Sequence, residues 1–266
     1  NVFVTIKDAV FNNNYGNVNG GAIKYDNGNY TNGNLTIINS TFTNNTTTNN
    51  GGAIYADNID LTLNNCVLNS NNSTSKGGAL TTIGCTVIID STNVEQNTSQ
   101  AMGGGLNFEN SNVKITNSKI RSNETTADYA GGVQFYGDTL LIENVIFSEN
   151  EAYVRGGALL FQNGWVNIFN SLFYDNEAPT AGAISAEGGT MNMINCTVTQ
   201  NTAQYTGGVR SGSASTYFMN TILWGNTSTN AGENDNYYSQ QYHYFANTIM
   251  SENYWGENNF DSDPQF

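Results

Sequence analysis

The chain has 266 residues, of which 8 are basic and 22 acidic, and its formal net charge is −14. This acidity disfavours nucleic acid, whose phosphates would be repelled, and it disfavours electrostatic docking on anionic membranes. Gly is abundant and Pro scarce, at 28 and 2 residues, and no stretch approaches the length of a membrane span. We therefore expect a turn-rich folded protein that binds no nucleic acid and inserts into no membrane.

Two short motifs alternate along nearly the whole chain. The first is an apolar residue followed three positions later by Asn, as in Phe42 and Asn45. The second is a glycine pair followed by a small and an apolar residue, as in Gly51-Gly52-Ala53-Ile54. After a first repeat of 31 residues, the period is 25 to 28 residues. A fixed period of this length is the signature of a solenoid.

Each repeat begins with a predicted strand. Apolar residues stand seven and five positions before the apolar residue of the first motif, and the residue between them varies. This period of two indicates a strand with one buried face. One column of these residues is predicted to form a continuous interior line: Ile37, Leu63, Ile89, Ile115, Ile142 and Ile168.

Asparagine marks the predicted turns. Asn, Asp or Ser stands three positions before the apolar residue of the first motif, as at Asp8 and Asn39, and these residue types tolerate left-handed backbone. The Asn of the first motif is predicted to bond along the stack as a structural ladder. Its members are Asn45, Asn71, Asn97, Asn123, Asn150, Asn176, Asn201 and Asn226. We expect two turns and two or three short strands per repeat.

The motifs carry a resemblance to known families. The Gly-Gly-Ala-Ile and Phe-x-x-Asn pairs resemble the repeats of the chlamydial polymorphic outer-membrane proteins, and Asn34-Leu35-Thr36-Ile37 through Tyr55 resembles archaeal adhesin-like proteins. The ending, from Asn220 to Asn226 and then Asp261 to Phe266, resembles the closing segment of secreted bacterial right-handed β-helix proteins. The resemblance implies a right-handed β-helix and a surface or adhesin-like role.

We therefore predict an all-β fold, a single-stranded right-handed parallel β-helix of about nine to ten coils with a C-terminal aromatic cap. Residues 1–229 are predicted to form the repeats, and residues 230–266 the cap and a last degenerate coil of the same domain. In this cap Trp224, Phe245, Trp255 and Phe260 would pack over the final coil, because large side chains must seal an interior cross-section.

Acidic residues near two ladder positions form a candidate metal site. Glu149 and Glu151 flank Asn150, and Asp175 and Glu177 flank the next ladder residue. Carboxylate oxygens are the ligands that Ca²⁺ prefers, so Ca²⁺ is the one cofactor these residues suggest. The alternative is that all four are solvated turn residues.

Aromatic residues of the tail form a candidate ligand site. Tyr237, Tyr242, Tyr254 and Trp255 lie among acidic residues, an arrangement suited to a carbohydrate platform. The alternative is that they close the last coil as an apolar plug.

Conventional catalytic sets are missing from the sequence. Cys66, Cys85 and Cys196 are an odd, sparse set that we expect to be buried free thiols. The single histidine, His243, lies in the tail, outside any recognisable catalytic motif. No residues match the Asn-Thr-Asp, Asp-Asp and Gly-His-Gly motifs of polygalacturonases.

The sequence thus favours a non-enzymatic, secreted or cell-surface β-helix module that acts as an adhesin or as a structural or filament spacer and binds glycan. Its expected location is extracellular. Its expected partners are a host or neighbouring-cell surface, a glycan, or a second copy joined end to end. The alternative function is a polysaccharide lyase or glycoside hydrolase of the β-helix type.

Overall fold

A computed structural model describes residues 2–28, 33–230, 235–250, 256–257, 259 and 264. Every regular element in these residues is a strand. None of the described segments is a helix long and apolar enough to cross a membrane. The predictions for Tyr254, Trp255 and Phe260 lie outside the described residues.

The strands are short and follow one another at intervals of a few residues. In the first half of the chain they are β1 (Phe3–Lys7), β2 (Val10–Asn12), β3 (Tyr15–Gly16), β4 (Ile23–Asp26), β5 (Gly33–Ile38), β6 (Thr41–Thr43), β7 (Thr46–Thr47), β8 (Ile54–Asp57), β9 (Ile59–Asn64), β10 (Val67–Asn69), β11 (Asn72–Ser73), β12 (Leu80–Ile83), β13 (Thr86–Asp90), β14 (Asn93–Glu95), β15 (Thr98–Ser99), β16 (Leu106–Glu109), β17 (Asn112–Thr116), β18 (Lys119–Arg121), β19 (Glu124–Thr125) and β20 (Val133–Tyr136). In the second half they are β21 (Thr139–Glu143), β22 (Ile146–Ser148), β23 (Glu151–Ala152), β24 (Leu159–Phe161), β25 (Trp165–Phe169), β26 (Leu172–Tyr174), β27 (Glu177–Ala178), β28 (Ile184–Ala186), β29 (Thr190–Ile194), β30 (Thr197–Thr199), β31 (Thr202–Ala203), β32 (Val209–Ser211), β33 (Ser215–Met219), β34 (Ile222–Trp224), β35 (Thr227–Ser228), β36 (Tyr237–Ser239), β37 (His243–Ala246), β38 (Ile249–Met250) and β39 (Gly256–Glu257).

From β1 to β38, every fourth strand belongs to the same parallel sheet, so each full coil contributes one strand to each of four sheets. Within the described residues, sheet A (β1, β5 and onward) has 11 strands, sheet B (from β2) 10, sheet C (from β3) 9 and sheet D (from β4) 9. The expectation of two or three strands per repeat is therefore wrong. The strands of sheet C are only two residues long. A segment of two residues is too short to show the alternation of apolar and polar residues from which strands are predicted.

The interior line predicted from the sequence is confirmed. Ile37 is the register partner of Leu63, and the pairing continues without a break to Ile168. All six residues are fully buried. Burying each such side chain contributes about 1.5–3 kcal/mol. Aromatic residues form a second interior column, in which Phe147 stacks on Phe173 at 4.6 Å.

The predicted left-handed turn column is also confirmed. The residue after each strand of sheet A from β1 to β37 has a positive φ, from 53° at Asp8 and 52° at Asn39 to 51° at Asn247. A second left-handed column was not predicted. It directly precedes the ladder asparagines and contains Asn44, Glu149 and Asp175, with φ values of 55°, 56° and 54°.

The two glycines of each pair serve different purposes. The first glycine is favoured by its backbone conformation: Gly51 has a φ of +69°, which is costly for residues with a Cβ. The second glycine is favoured by lack of space: a Cβ on Gly52 would lie 1.9 Å from the Gly78 carbonyl oxygen of the next coil. Ala130 and Ala181 occupy the first position with φ values of 63° and 57°. The second position therefore depends on the space that only glycine leaves.

The asparagine ladder is present and runs through the interior. Asn123 Nδ2 donates to Asn150 Oδ1 at 3.0 Å and to the Val94 carbonyl at 2.9 Å. Its Oδ1 accepts from the backbone N and from Nδ2 of Asn97 at 3.0 and 2.9 Å. The same pattern reaches from Asn14 to Asn236, beyond the predicted members at both ends.

The three cysteines are buried free thiols, as predicted. They occupy the small column that follows the left-handed turn after sheet A or sheet D. Cys85 Sγ lies 3.6 Å from the Ala56 carbonyl oxygen of the preceding coil. Burial raises the pKa of Cys85 and of Cys196 to about 11.

The aromatic residues of the described tail continue the interior column. Phe245 stacks on Phe218 at 4.8 Å, and Tyr237 packs edge-on against both rings. Ile249 begins β38, which pairs with β34 as the predicted degenerate coil requires. The prediction for Trp224 needs correction, because this residue lies at the half-buried outer face of β34.

The first coil presents an unpaired edge within the described residues, because β1 to β4 each pair with one neighbour only. Phe3 and Val10 are 73% and 75% exposed there. End-to-end association through such an edge stays a prediction.

A candidate binding groove on sheet D

The outer face of sheet D carries a row of buried side chains. In β8, β12, β16, β20, β24 and β28 the first and third residues are buried in the interior, so the second residue faces outward. These second residues are nevertheless at most 6% exposed: Tyr55, Thr81, Asn107, Gln134, Leu160 and Ser185. We call this row the floor and the whole feature the D groove.

The floor contains polar atoms that have no protein partner. Asn107 Nδ2 donates to Glu109 Oε1 at 3.1 Å, and Gln134 Nε2 donates to Gln162 Oε1 at 3.2 Å. Within the described residues, Asn107 Oδ1 and Gln134 Oε1 are buried without a hydrogen bond. Because the Glu109 carboxylate only accepts, it also sets the orientation of the Asn107 amide. Each unmet buried acceptor costs about 1–3 kcal/mol, which a ligand donor would recover.

Two ion pairs cross the D groove from one wall to the other. Lys76 precedes a glycine pair, and its Nζ lies 2.7 Å from Oε1 of Glu109 at the far end of the next coil's D strand. Arg155 and Glu187 repeat this arrangement three coils further on, with Nη1 and Oε1 3.0 Å apart. Lys76, Glu109 and Arg155 of these pairs also line the cavities along the D groove.

Two cavities open along the D groove. The first, of about 220 Å³, is lined by Lys76, Met102, Glu109, Gln134, Tyr136 and Gln162. The second, of about 300 Å³, is lined by Arg155, Thr180, Tyr205, Thr206, Arg210 and Tyr238. The first combines amide, charged and aromatic groups, and the second combines hydroxyl, charged and aromatic groups. Such a mixture in a concave setting is the usual composition of a small-molecule site.

A carboxylate pair lies near the N-terminal end of the same face. Asp26 and Asp57 are register partners in β4 and β8, so their backbones are about 4.8 Å apart. A hydrogen bond from the Gly28 backbone lowers the pKa of Asp26, whereas burial raises the pKa of Asp57. Tyr55 donates its hydroxyl to Asp57 Oδ2 at 3.2 Å. Neighbouring carboxyls with opposite pKa shifts are typical of acid–base pairs.

The acidic residues predicted as a metal site lie in two different columns. Glu149 and Asp175 occupy left-handed turns, whereas Glu151 and Glu177 are register partners in sheet C. Arg121 lies 2.9 Å from Glu149, and its hydrogen bonds lower the pKa of that carboxyl. Among the described residues, no three His, Cys, Asp or Glu side chains are grouped to hold a metal. The Ca²⁺ site stays a prediction.

The predicted aromatic platform is divided by the fold. Tyr237 is fully buried, with its hydroxyl 2.6 Å from Thr216 Oγ1, so the prediction that its ring contacts a ligand is corrected. Tyr242 is 61% exposed and lies 5.7 Å from the Tyr217 ring, so it remains available to a ligand. Tyr254 and Trp255 lie outside the described residues.

The D groove itself was not predicted from the sequence. Its signal is the polar run Thr81, Asn107 and Gln134 directly after the apolar residue of each glycine motif. In a strand where apolar and polar residues alternate, a polar residue at that position is expected to face solvent. The ion pairs on the same face join residues 32 and 33 positions apart in the sequence, and no local pattern reveals them.

Four stacked parallel sheets with an internal asparagine ladder and a lateral groove define the parallel β-helix class of solenoid proteins. The family model described as right handed beta helix region matches residues 29–203. The chain therefore belongs to the right-handed β-helix family. No curated protein and no solved structure shows significant similarity to it.

Proposed function

We propose that this β-helix is a non-enzymatic module that binds glycans in the D groove. The proposal rests on two buried acceptors, Asn107 Oδ1 and Gln134 Oε1, beside a cavity of about 220 Å³. Sugar hydroxyls are the donors that such acceptors lack, and the ring of Tyr136, 45% exposed, offers a face for sugar C–H groups. The neighbouring Glu109 and Gln162 add acceptors for further hydroxyls.

The architecture supports a surface or adhesin-like role. Each coil contacts its neighbours only, so the solenoid presents an extended lateral surface built from successive coils. A D groove that follows the coil axis would present several sugar subsites in a row. We therefore propose that the module is extracellular or displayed at a cell surface, and that its partner is the glycan coat of a host or neighbouring cell.

Glycan binding is tested by a panel of immobilised oligosaccharides probed with the wild-type chain and two variants. Gln134→Ala removes a floor amide, and we expect at least a tenfold loss of affinity for the bound glycans. Asn192→Ala is the matched control, because it removes an amide from the outer face of sheet A that donates to Asn167 at 2.8 Å. Circular dichroism establishes that both variants fold. Binding by no glycan, or equal binding by both variants, would overturn the proposal.

A second candidate function is polysaccharide cleavage, favoured by the Asp26 and Asp57 pair. Retaining glycosidases hold two carboxyl groups about 5–5.5 Å apart, close to the spacing of adjacent coils. Reducing-end release from polysaccharides, measured for wild type, Asp57→Asn and Asp26→Asn, decides between the two functions. Cleavage that disappears in either variant would establish an enzyme, and absence of cleavage favours the binding module.

A further inference from the structure

Five side chains form a stripe beside the second cavity of the D groove. Tyr129, Arg155, Glu187, Arg210 and Tyr238 come from five successive coils, as the pairing of β20, β24, β28, β32 and β36 shows. At one interstrand spacing per coil, the stripe is about 19 Å long. Its order is aromatic, cationic, anionic, cationic, aromatic.

The central carboxylate holds both guanidinium groups through a single oxygen. Glu187 Oε1 accepts from Arg155 Nη1 at 3.0 Å, from Arg210 Nη1 at 3.3 Å and from Ser185 Oγ at 2.7 Å. The two arginines therefore point toward the same place from coils on either side of Glu187. The arrangement fixes two positive groups beside the cavity of about 300 Å³.

Both arginines retain N–H donors that no group in the described residues accepts. A guanidinium carries more N–H groups than the single bond each arginine makes to Glu187. Arg155 Nε is buried and has no hydrogen-bond partner in the described part of the chain. The Tyr129 ring lies 5.1 Å below Arg155, and the Tyr238 ring lies 5.7 Å from Arg210. These rings hold the guanidinium planes from one side and leave their edges available.

The stripe retains unused donors although acidic groups lie close to it. Glu187 accepts one hydrogen bond from each guanidinium group. Asp128 lies close to Arg155: burial raises its pKa, the charges of Lys76 and Arg155 lower it, and it forms no ion pair in the described residues. Partly exposed ion pairs contribute little to stability. The guanidinium N–H groups that Glu187 leaves unused therefore suit the oxygens of a ligand anion.

We propose that Arg155 and Arg210 form an anion clamp that selects glycans bearing a carboxylate or sulfate group. This inference rests on the proposed glycan binding and names the class of sugar. The planar guanidinium edge matches two oxygens of one oxyanion. Tyr205, 45% exposed at the same cavity, offers an aromatic face to the sugar ring that carries the anion.

The test uses matched pairs of acidic and neutral sugars. Sialyllactose and sulfated lactose are each compared with lactose, and glucuronate oligosaccharides with their carboxyl-reduced forms. We expect the acidic member of at least one pair to bind about tenfold or more tightly than the neutral one. Arg155→Gln and Arg210→Gln should remove this preference. Glu187→Gln, which retains the acceptor but removes the competing charge, should strengthen acidic binding severalfold.

Arg121→Gln is the matched control, because Arg121 is also paired with a glutamate but lies on sheet B. If it weakens acidic binding as much as Arg210→Gln does, the effect is one of net charge and the clamp is refuted. Equal binding of acidic and neutral sugars that still depends on Gln134 refutes the clamp and leaves the glycan groove standing. Binding of no sugar refutes both. Glu187→Gln without any gain refutes the clamp even if the arginine variants do not fold.

Discussion

The asparagine ladder makes the most demanding prediction about stability. Replacing Asn123 by Ala removes four hydrogen bonds: two that its Nδ2 donates, to Val94 and Asn150, and two that its Oδ1 accepts from Asn97. The Asn97 backbone N–H and one of its side-chain N–H groups are then buried without a partner. At about 1–2 kcal/mol for each orphaned donor, the variant should lose about 3 kcal/mol of unfolding free energy.

Urea unfolding followed by circular dichroism measures this loss, with Asn192→Ala as control. Asn192 makes one side-chain bond on the outer face of sheet A, so its replacement should change the unfolding free energy by less than about 0.5 kcal/mol. Hydrogen exchange adds a local measurement, because the Asn97 amide should exchange faster in the Asn123 variant only. A loss below about 1 kcal/mol, or one equal to the control, would refute the view that the ladder satisfies buried backbone groups.

Three further predictions concern space, ionisation and the last coil. Gly52→Ala should prevent folding, because its Cβ would lie 1.9 Å from a backbone oxygen, whereas Gly28→Ala, which meets nothing within 4 Å, should cost only about 1–2 kcal/mol in thermal unfolding. Burial raises the pKa of Cys85 and Cys196 to about 11, so their thiols should resist Ellman's reagent at neutral pH until denaturant is added. The folded state then holds these protons more tightly than the unfolded state, and unfolding titrations should show stability falling between roughly pH 9 and 11. Deleting residues 230–266 should expose the edges of β33 and β34 and cause association in size-exclusion chromatography; a monomer with unchanged melting temperature would contradict this.

The repeat made much of the fold predictable because it samples each structural position many times. Ile37 and its equivalents reveal an interior column. Alternation of apolar and variable residues in one short segment does not by itself establish a strand, but the same alternation at the same position of successive repeats does. The left-handed turns at Asn39 and Asn117 follow in the same way, from a residue type with a specific backbone tolerance. The ladder asparagines are visible because each must bond its equivalent in the next coil.

Other features depend on how neighbouring coils meet. Sheet C has strands of two residues, so its existence is decided by pairing between coils and not by local alternation. Tyr237 reads as part of a surface platform, but its register with Val209 places it in the interior column. Glu149 reads as a metal ligand, but Arg121 of the preceding coil occupies its carboxylate.

What the sequence alone determined is a set of columns: the buried lines, the left-handed turns after sheet A and the ladder, all of which recur in phase along the chain. Only the tertiary structure decided which outward columns become covered. Lys76 reaches Glu109, and Arg155 and Arg210 converge on Glu187, across coils that are distant in sequence. The physical reason is that a column is defined by the repeat period, whereas burial and charge pairing depend on single side chains from different coils. Those side chains vary from coil to coil, so the repeated pattern of the sequence does not show that the floor of the D groove is covered.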